Sequence, residues 1–455
     1  MAMPELPPSV AHAPIFSTRK IVHMSMLIFA FLLPYLTWVQ AAGCALLALL
    51  FNTVVLPRLN VDLRKSPGGA SGASVWTGIV IYPVSVLALI LFYRHDLHIV
   101  AAVWAIMALG DGMAGVAGSA WRGPALPWNR EKTWAGLVGF VAAGTAGAYL
   151  LTRWVGPAVA PGLALKVCAA TALVGALVES TPIRLDDNAT VPLVAGAFMF
   201  CAYLVERSAL DSNLPYLGRR IVLAVAVNLT LAVLAFALKT VTRSGAISGF
   251  LLGTAVYLGY GYKSFLLLFA FFVMGSAATR LGYARKAARG VAEKRGGRRS
   301  WREALANSLP GAFFSLLVIT THHQGAFLMA LVAAFAEAAG DTVSSEIGQW
   351  LSGRTYLITT FQPVPTGENG GVSMGGSLAG ALAAVAVVGL GYGLGVCGKG
   401  GAAIALACAV AGNLLDSLLG ATLERRGLVT NGIVNFTGAS VAGGLALSMA
   451  LHLGF

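Results

Sequence analysis

The sequence predicts an all-helical, polytopic integral membrane protein with about fifteen transmembrane helices in two fused bundles. Three observations support this fold class: 57% of the 455 residues are hydrophobic, 11% are charged, and long apolar stretches recur along the chain. Soluble domains carry about 25% charged residues, and a spanning helix needs about 20 mostly apolar residues. The composition therefore excludes a soluble globular protein, a disordered chain and a coiled coil.

The apolar stretches define the predicted spans. After a Pro-rich tail at 1–18 they cover 21–39, 41–57, 74–93, 98–120, 133–152, 161–178, 189–205, 220–238, 245–260, 263–280, 305–321, 324–340, 372–396, 400–420 and 434–453. With the N-terminus inside, 23 of the 31 Lys and Arg residues fall on inside segments and 8 on outside segments. Positive residues favour cytoplasmic loops, so we expect a bacterial inner membrane protein whose polar motifs face the cytoplasm.

The net charge of +13 is explained by this loop bias, without a nucleic-acid partner. The segment ERSALDSNLPYLGRR is the best candidate for a boundary between two membrane domains. We therefore predict domains at 19–205 and 218–455, joined by a linker at 206–217. The five cysteines lie in apolar stretches without CxxC spacing, which is typical of small core residues.

The first polar motif combines GDGMAGVAG at 110–118 with LPWNREKTWAG at 126–136. Asp111 lies inside an apolar span, where an ionised carboxylate is costly unless a cation or water accompanies it. Lys132 starts the next helix, where its ammonium and the helix dipole favour an anion. Together they indicate Mg²⁺ and phosphate. The alternative is a buried Asp that caps a neighbouring helix, with Lys132 as a positive-inside anchor.

The second motif is ESTPIRLDDNATVP at 179–192. Asp187 and Asn188 lie at the entry of a span, and hard oxygen ligands of this kind suit Mg²⁺. The alternative is an N-cap box at a helix start.

The third motif is AEAAGDTVSSEIGQ at 336–349, in which Glu337, Asp341 and Glu346 are spaced 4 and 5 residues apart. Acids that share one helix face repel each other unless a metal or a proton intervenes. The following loop, PVPTGENGGVS, offers the flexible backbone of an anion-binding nest at Asn369, Gly370 and Gly371. The alternative is an ordinary membrane-entry turn.

The fourth motif places Asp416 in another apolar helix, followed by Asn431 and Asn435 at the start of the last span. Asp416 is a further candidate metal ligand, and Asn431 and Asn435 are candidate nucleotide ligands. Hydrogen bonding between helices is a real alternative for the asparagines. Arg299, in the basic run 280–302, is a candidate phosphate ligand. The chain has no GxxxxGK[ST] loop and no HExxH motif, so a Walker-type kinase and a zincin are excluded.

Residues from about 15 to 205 resemble the phytol kinase and dolichol kinase family, which is related to CDP-diacylglycerol synthases. The matching pieces are RKIVH, GDGMAG, LPWNREKTWAG and DDNATVP. The resemblance implies CTP-dependent phosphorylation of a long isoprenoid alcohol, with Asp111 and Asp187 near Mg²⁺ and CTP. It further implies that Lys132, Asn129, Gly136 and Asn188 contact the nucleotide. The family often carries a second acid after the Gly-Asp-Gly, where this chain has Gly115.

Residues from about 218 to 455 resemble the polytopic family that includes phytyl-phosphate kinase. The matches include TRSGAISGFLLGT, GDTVSSEIG, TGENGGVS and LLDSLLGATLE. One departure is Glu368, which stands where the family usually has Thr. The resemblance implies phosphorylation of an isoprenyl monophosphate to a diphosphate, with Asp341 and Asp416 as catalytic residues.

The two resemblances together predict a bifunctional, CTP- and Mg²⁺-dependent isoprenoid salvage kinase whose first product is its second substrate. The expected partners are a long-chain isoprenoid alcohol, its phosphate and the lipid bilayer, with no nucleic acid; a homo-oligomer is compatible with the sequence. Two other functions stay open. One is a cytidylyltransferase that forms a CDP-lipid, and the other is a non-enzymatic transporter or flippase of prenyl phosphates.

Overall fold

A computed structural model describes the backbone of residues 18–59, 72–121 and 123–455, and the side chains of 22–58, 78–121 and 123–455. The chain forms two compact units, Met1–Tyr203 (unit 1) and Leu204–Phe455 (unit 2). The predicted tail at 1–18 lies outside the described residues except for Thr18. The segment 206–217, predicted as a linker, forms the first turns of a helix of unit 2.

Unit 1 is all helical over its described residues. Its helices are α1 Thr18–Ser25, a 3₁₀ helix Met26–Tyr35, α2 Trp38–Leu50, a π-helical turn Phe51–Val55, a 3₁₀ turn Leu56–Leu59, α3 Gly72–Phe92, α4 Leu97–Ala105, a π-helical turn Ile106–Gly110, α5 Asp111–Trp121, α6 Trp134–Val155, α7 Pro161–Ser180 and α8 Asp187–Tyr203.

The helical segment from α4 to α5 forms the centre of unit 1. All side chains from Ile99 to Ala108 are buried, because α6, α8 and the 3₁₀ helix pack around this segment. Since the segment is apolar on every side, it can be stable only inside a bundle. Asp111 follows directly after this apolar stretch and its π-helical turn.

Unit 2 contains ten helices and one small sheet in its described residues. They are α9 Arg207–Ala237, α10 Arg243–Tyr260, α11 Tyr262–Arg280, α12 Tyr283–Ala288, α13 Lys294–Gly297, α14 Trp301–Thr320, α15 Gln324–Leu351, β1 Thr355–Leu357, β2 Pro363–Val364, β3 Gly371–Ser373, α16 Met374–Gly393, α17 Lys399–Leu419 with a π-helical turn Gly420–Glu424, and α18 Asn431–Leu453. The sheet is antiparallel in the order β2-β1-β3, with Thr355 opposite both Val364 and Ser373.

Helix α15 forms the centre of unit 2. Its residues from Ala326 to Gly340 are all buried, because α11, α14, α16, α17 and α18 surround it. Small residues permit this close packing: a Cβ atom added at Gly380 of α16 would lie 2.6 Å from the Gly340 carbonyl oxygen. Small residues of this kind let membrane helices approach closely.

The fold class predicted from the sequence is confirmed, and each predicted span overlaps a helical segment. Among the described residues, eleven helices are long and apolar enough to cross a membrane. The predicted spans at 21–39 and 74–93 overlap the shorter apolar stretches Val22–Tyr35 and Gly78–Phe92. Those at 189–205 and 245–260 overlap α8 and α10, which are outside the set of eleven. The number fifteen therefore stays a prediction.

The packing of α15 against α16 can be tested with two glycines of one helix. In Gly380→Ala the new Cβ collides with the Gly340 carbonyl, and we expect a destabilisation of about 1–3 kcal/mol. Gly389→Ala is the matched control, because no atom lies within 4 Å of its added Cβ. The measurement is the apparent melting temperature of the purified protein in detergent. Equal melting temperatures for the two variants would show that this contact is absent.

Candidate functional site

Three carboxylates meet in unit 1. One oxygen atom from each of Asp111, Glu179 and Asp187 lies within 4.8 Å of the other two. α5 and α7 run towards the end of the bundle at which α6 and α8 begin, so these helices carry the acids to one place. The Glu179 side chain is only 5% exposed, whereas Asp111 and Asp187 are 39% and 40% exposed. The group therefore has one buried acid and two that face open space.

Lys132 belongs to the same group. Its Nζ atom forms an ion pair and a hydrogen bond with the Glu179 carboxylate and lies 4.0 Å from Asp187 Oδ2. Burial of the ammonium lowers its pKa, but attraction to Glu179, Asp187 and Asp111 is stronger, so the pKa of Lys132 is raised. Lys132 thus stays protonated, and this one ammonium lies among three carboxyl groups.

The loop before α6 is fixed by two side chains that donate hydrogen bonds to Ser180. The Asn129 side chain donates a hydrogen bond to the Ser180 carbonyl, and Trp128 Nε1 donates to Ser180 Oγ. Asn129 therefore helps to position Lys132 beside Glu179, and its contact with a nucleotide stays a prediction. A β-bridge between Ala125 and Thr133 closes the loop.

Two further predicted nucleotide contacts have structural roles. The backbone N–H of Gly136 donates to Thr133 Oγ1, and a Cβ atom at Gly136 would lie 3.1 Å from the Ala114 carbonyl. Gly136 thus serves the packing of α6 on α5, and its contact with a nucleotide stays a prediction. Asn188 is buried, and its backbone N–H donates to Asp186 Oδ1, which is the N-cap arrangement left open by the sequence.

Helix α1 adds a histidine to the unit 1 group. His23 Nε2 lies 3.7 Å from Asp111 Oδ2 and 3.2 Å from the Met107 carbonyl oxygen. The His23 ring packs edge-on against Tyr82. Gly112 makes this approach possible, because a Cβ atom there would lie 2.6 Å from the Met24 side chain. The glycine of the Gly-Asp-Gly motif therefore admits α1.

The donor set of unit 1 fits a magnesium ion. Mg²⁺ prefers hard oxygen ligands and usually takes one or two carboxylates together with phosphate oxygens and water. Asp111 and Asp187 supply exposed carboxylates, and Glu179 lies beside them. Glu179 was not predicted from the sequence, because the predicted span ends at residue 178, whereas α7 extends to Ser180 and includes this acid.

A second polar group lies inside unit 2. Asn435 Nδ2 donates to Asn307 Oδ1 at 3.1 Å and to Asp341 Oδ2 at 3.3 Å. The carboxylates of Glu337, Asp341 and Asp416 are close enough to repel one another. These residues come from four helices, namely α14, α15, α17 and α18. Asn307 is a member of this group that was not predicted from the sequence.

Several oxygen atoms of this group are buried without a partner among the described residues. They are Glu337 Oε1, Asp416 Oδ2 and Asn435 Oδ1. The Glu337 side chain lies in a slot left by glycines: an added Cβ at Gly438 would lie 2.3 Å from Glu337 Oε1, and one at Gly412 would lie 2.9 Å from Glu337 Cγ. Buried polar atoms without partners are costly, and three oxygens of this kind fit a hard cation or protons.

Glu346 does not join that group. Its Oε2 atom lies 2.5 Å from Lys286 Nζ, which is fully buried and also donates to the carbonyls of Ala278 and Thr279. Binding of Glu346 to the same metal as Asp341 and Asp416 stays a prediction, and in this structure its carboxylate pairs with Lys286 instead. Within the described part of the chain, the unit 1 acids are the one set of three whose oxygens lie within 4.8 Å.

The predicted anion-binding loop packs tightly in unit 2. Gly370 has a φ of 73°, and a Cβ atom there would lie 2.3 Å from the Ala421 backbone nitrogen. The Gly371 N–H donates to the Glu368 carbonyl, and Glu368 Oε1 lies 3.0 Å from Arg425 Nε. Gly370 therefore packs the loop against the π-helical turn after α17, while Gly371 forms a hydrogen bond within the loop. Asn369 remains exposed.

Asn431 and Arg299 lie near the acids of unit 2. Asn431 is exposed at the start of α18, and its side chain interacts with the Glu424 carboxylate. The Arg299 guanidinium lies over the Phe271 ring, 5.6 Å from its centre. Burial lowers the pKa of Arg299, against the attraction of nearby carboxylates that include Asp341.

The unit 1 site can be tested by direct metal binding. We expect Asp111→Asn and Asp187→Asn each to reduce the number of tightly bound Mn²⁺ ions per chain by one, because each removes a carboxylate ligand. Bound Mn²⁺ is counted by electron paramagnetic resonance on the full chain in detergent. Asp211→Asn, which changes an exposed acid of α9, is the control. Unchanged Mn²⁺ binding in both site variants would contradict the assignment.

Comparison with known proteins gives several related membrane proteins. The chain is 36% identical to the uncharacterised membrane protein sll0875 of Synechocystis over 220 residues, which are 47% of this chain and 85% of the relative. It is 38% identical to protein VTE6 of Arabidopsis thaliana, over 50% of this chain and 71% of the relative. It is 28% identical to the chloroplastic farnesol kinase of Arabidopsis, over 40% of this chain and 65% of the relative.

No solved structure matches the chain. The family described as integral membrane protein DUF92 matches residues 226–449, which comprise nearly all of unit 2 from the middle of α9 to the end of α18. With this match and with relatives such as sll0875 matched over most of their length, the chain belongs to the DUF92 family of integral membrane proteins.

Proposed function

We propose that the protein is a membrane-embedded isoprenoid kinase with two phosphotransfer sites. Unit 1 phosphorylates an isoprenoid alcohol, such as phytol or farnesol, and unit 2 phosphorylates the resulting monophosphate. CTP is the donor and Mg²⁺ the metal at both sites. The observation that carries the proposal is the group of Asp111, Glu179, Asp187 and Lys132 at one end of an apolar bundle.

The relatives support this class of reaction. One of them is named farnesol kinase, and VTE6 is similar over half of this chain. A kinase must hold a highly charged nucleotide beside its acceptor, so a membrane kinase needs carboxylates for the metal and cations for the phosphates. Unit 1 has both, and the positive-inside bias of the loops favours a cytoplasmic position for them.

In unit 1 the residues bind and orient the reactants. A bound Mg²⁺ would be held by Asp111 and Asp187, with the lysine-paired Glu179 beside them, and would neutralise charge on the donor phosphates. Lys132 forms a second cationic contact for these phosphates, since its ammonium lies next to the half-exposed Asp187. Asp111 or Asp187 accepts the proton of the alcohol as its oxygen attacks the γ-phosphorus. Catalysis is mainly positioning and electrostatic stabilisation.

In unit 2 the proposed metal ligands are Glu337, Asp341 and Asp416. Asn435 orients Asp341 through its side-chain amide, and Asn307 in turn holds Asn435. Arg299 lies beside this group and supplies positive charge near Asp341. The unpartnered carboxylate oxygens of Glu337 and Asp416 are the observation that supports a cation here.

An apolar groove in unit 2 supports a lipid substrate. It opens between α10 and α14, has a volume of about 400 Å³, and is lined by Ser244, Ile247, Ser248, Leu251, Leu252, Trp301 and Leu305. One of its polar side chains, Ser244, is two residues from Thr242, whose backbone N–H donates to the Arg299 carbonyl at 3.0 Å. An isoprenoid chain could therefore enter sideways from the bilayer.

The proposal is tested with the full chain in phospholipid nanodiscs, phytol or farnesol, and γ-labelled CTP. We expect the label to appear first in the monophosphate and then in the diphosphate. Asp111→Asn should slow monophosphate formation by about 100-fold or more, since it removes a carboxylate ligand of the metal that neutralises the donor phosphates. It should leave the conversion of supplied phytyl phosphate to the diphosphate intact. Asp341→Asn should slow this second step and leave monophosphate formation intact. Asp211→Asn is the control.

Two other results would count against the proposal. Label from α-labelled CTP in the lipid, with release of pyrophosphate, would identify a cytidylyltransferase instead. Translocation of a prenyl phosphate without nucleotide consumption would identify a transporter. If neither Asp variant is selective for one step, the assignment of one step to each unit is wrong.

A further inference from the structure

Arg299 is held in place by its backbone. Its N–H donates to the Thr240 carbonyl at 3.1 Å, and its carbonyl accepts from the Thr242 N–H at 3.0 Å. The contact with α10 is so close that a Cβ atom at Gly245 would lie 2.2 Å from the Arg299 carbonyl oxygen. The main chain, and not the side chain, therefore fixes this segment of unit 2.

The side chain of Arg299 points to α11 and α15. Its guanidinium lies over Phe271, and a Cβ atom at Gly275 would lie 2.7 Å from Nη2 and 3.2 Å from Thr342 Cγ2. Among the described residues it makes no hydrogen bond and no ion pair. Because a guanidinium has five N–H donors, a partly buried one without partners is well suited to bind an anion.

The acids that attract Arg299 are bound to other groups in unit 2. They are Glu293, Glu303, Asp341 and Glu346. Glu346 pairs with Lys286, and Asp341 accepts a hydrogen bond from Asn435. Glu303 accepts from the Ser300 N–H at 2.6 Å, and Glu293 accepts from the Lys294 N–H at 3.2 Å. Each carboxylate thus already has a donor, and the N–H groups of Arg299 remain available for a ligand.

Unit 1 differs from unit 2 in the charge that surrounds the lipid acceptor of the phosphoryl group. Its cation at the carboxylates is Lys132, which Glu179 already neutralises and Asp187 approaches to 4.0 Å. A dianionic acceptor would be repelled there, whereas a neutral alcohol would not. An unpaired guanidinium has the opposite preference, since its planar fork binds phosphate with two hydrogen bonds.

We propose that Arg299 binds the phosphate group of the lipid monophosphate acceptor and thereby gives unit 2 its specificity for an anionic acceptor. This inference rests on the proposed function and assigns a residue to acceptor recognition. In the transfer, an acceptor phosphate oxygen bonds to the γ-phosphorus of the nucleotide while the bond from that phosphorus to the β-phosphate oxygen breaks. The nucleoside diphosphate leaves, and a dianionic acceptor has no proton to lose.

The experiment measures binding of farnesyl phosphate and of farnesol to the full chain in detergent, without nucleotide. We expect Arg299→Ala to weaken farnesyl phosphate binding by about 10- to 100-fold, since it removes charge-assisted hydrogen bonds. Arg299→Lys should restore part of the affinity, because a Lys offers a point charge without the fork. Farnesol binding should be unchanged.

Two further variants separate position from charge. Gly275→Ala should weaken farnesyl phosphate binding by about 3- to 10-fold, because its Cβ displaces the guanidinium that forms the charge-assisted bonds. Arg298→Ala removes an exposed neighbouring charge and should have an effect below about 2-fold. Turnover of farnesyl phosphate with CTP should show a raised KM for the acceptor in Arg299→Ala, with the KM for CTP unchanged.

The outcomes distinguish this inference from the proposed function. If the wild-type chain binds farnesyl phosphate through Arg299 but does not phosphorylate it, the kinase proposal fails and the phosphate site stands. If Arg299→Ala retains farnesyl phosphate affinity within 2-fold, or loses farnesol binding equally, the inference is overturned. An equal loss in Arg298→Ala would also overturn it, since general surface charge would then explain the binding.

Discussion

The structure depends on carboxylates placed within apolar helices. Transfer of an ionised carboxylate out of water costs several kcal/mol or more unless a cation or hydrogen-bond donors accompany it. The chain meets this requirement with a lysine for Glu179, a fully buried lysine for Glu346, and one asparagine donor for Asp341. Glu337 and Asp416 keep oxygens without partners among the described residues. Under the proposed function, the carboxylates that no lysine or asparagine neutralises would bind the divalent cation that accompanies the nucleotide.

Much of the fold was predictable because the bilayer imposes it. In a bilayer the backbone N–H and C=O groups must bond to each other, so continuous apolar runs form helices. Each predicted span indeed overlaps a helical segment. Acids inside such runs are rare enough to mark function, which is how Asp111, Asp341 and Asp416 were selected. The structure brings Asp111 and Asp187 together in unit 1, as the sequence predicted. It also gives α9 the residues that were predicted to form a linker.

The remaining details depend on partners that are distant in sequence. Nothing local shows that Lys286 neutralises Glu346, 60 residues away, or that Asn307 supports Asn435. The role of the glycines was equally ambiguous in the sequence. A glycine can make room for a phosphate or for the close approach of another helix, and the residue is the same in both cases. Gly136 and Gly370 proved to serve packing. A π-helical turn directly precedes Asp111 in unit 1, and another begins at Gly420 in unit 2, after the helix that carries Asp416; such turns often occur at functional sites.

Anomalous diffraction from crystals grown with Mn²⁺ tests the central claim most directly. The account predicts a peak in unit 1 at about 2.0–2.2 Å from carboxylate oxygens, as for Mg²⁺-type coordination, with Asp111 and Asp187 among the ligands. It also predicts that nucleotide added with the metal increases the occupancy of this peak. A structure without such a peak, in which Lys132 and protons alone neutralise the three acids, would contradict it.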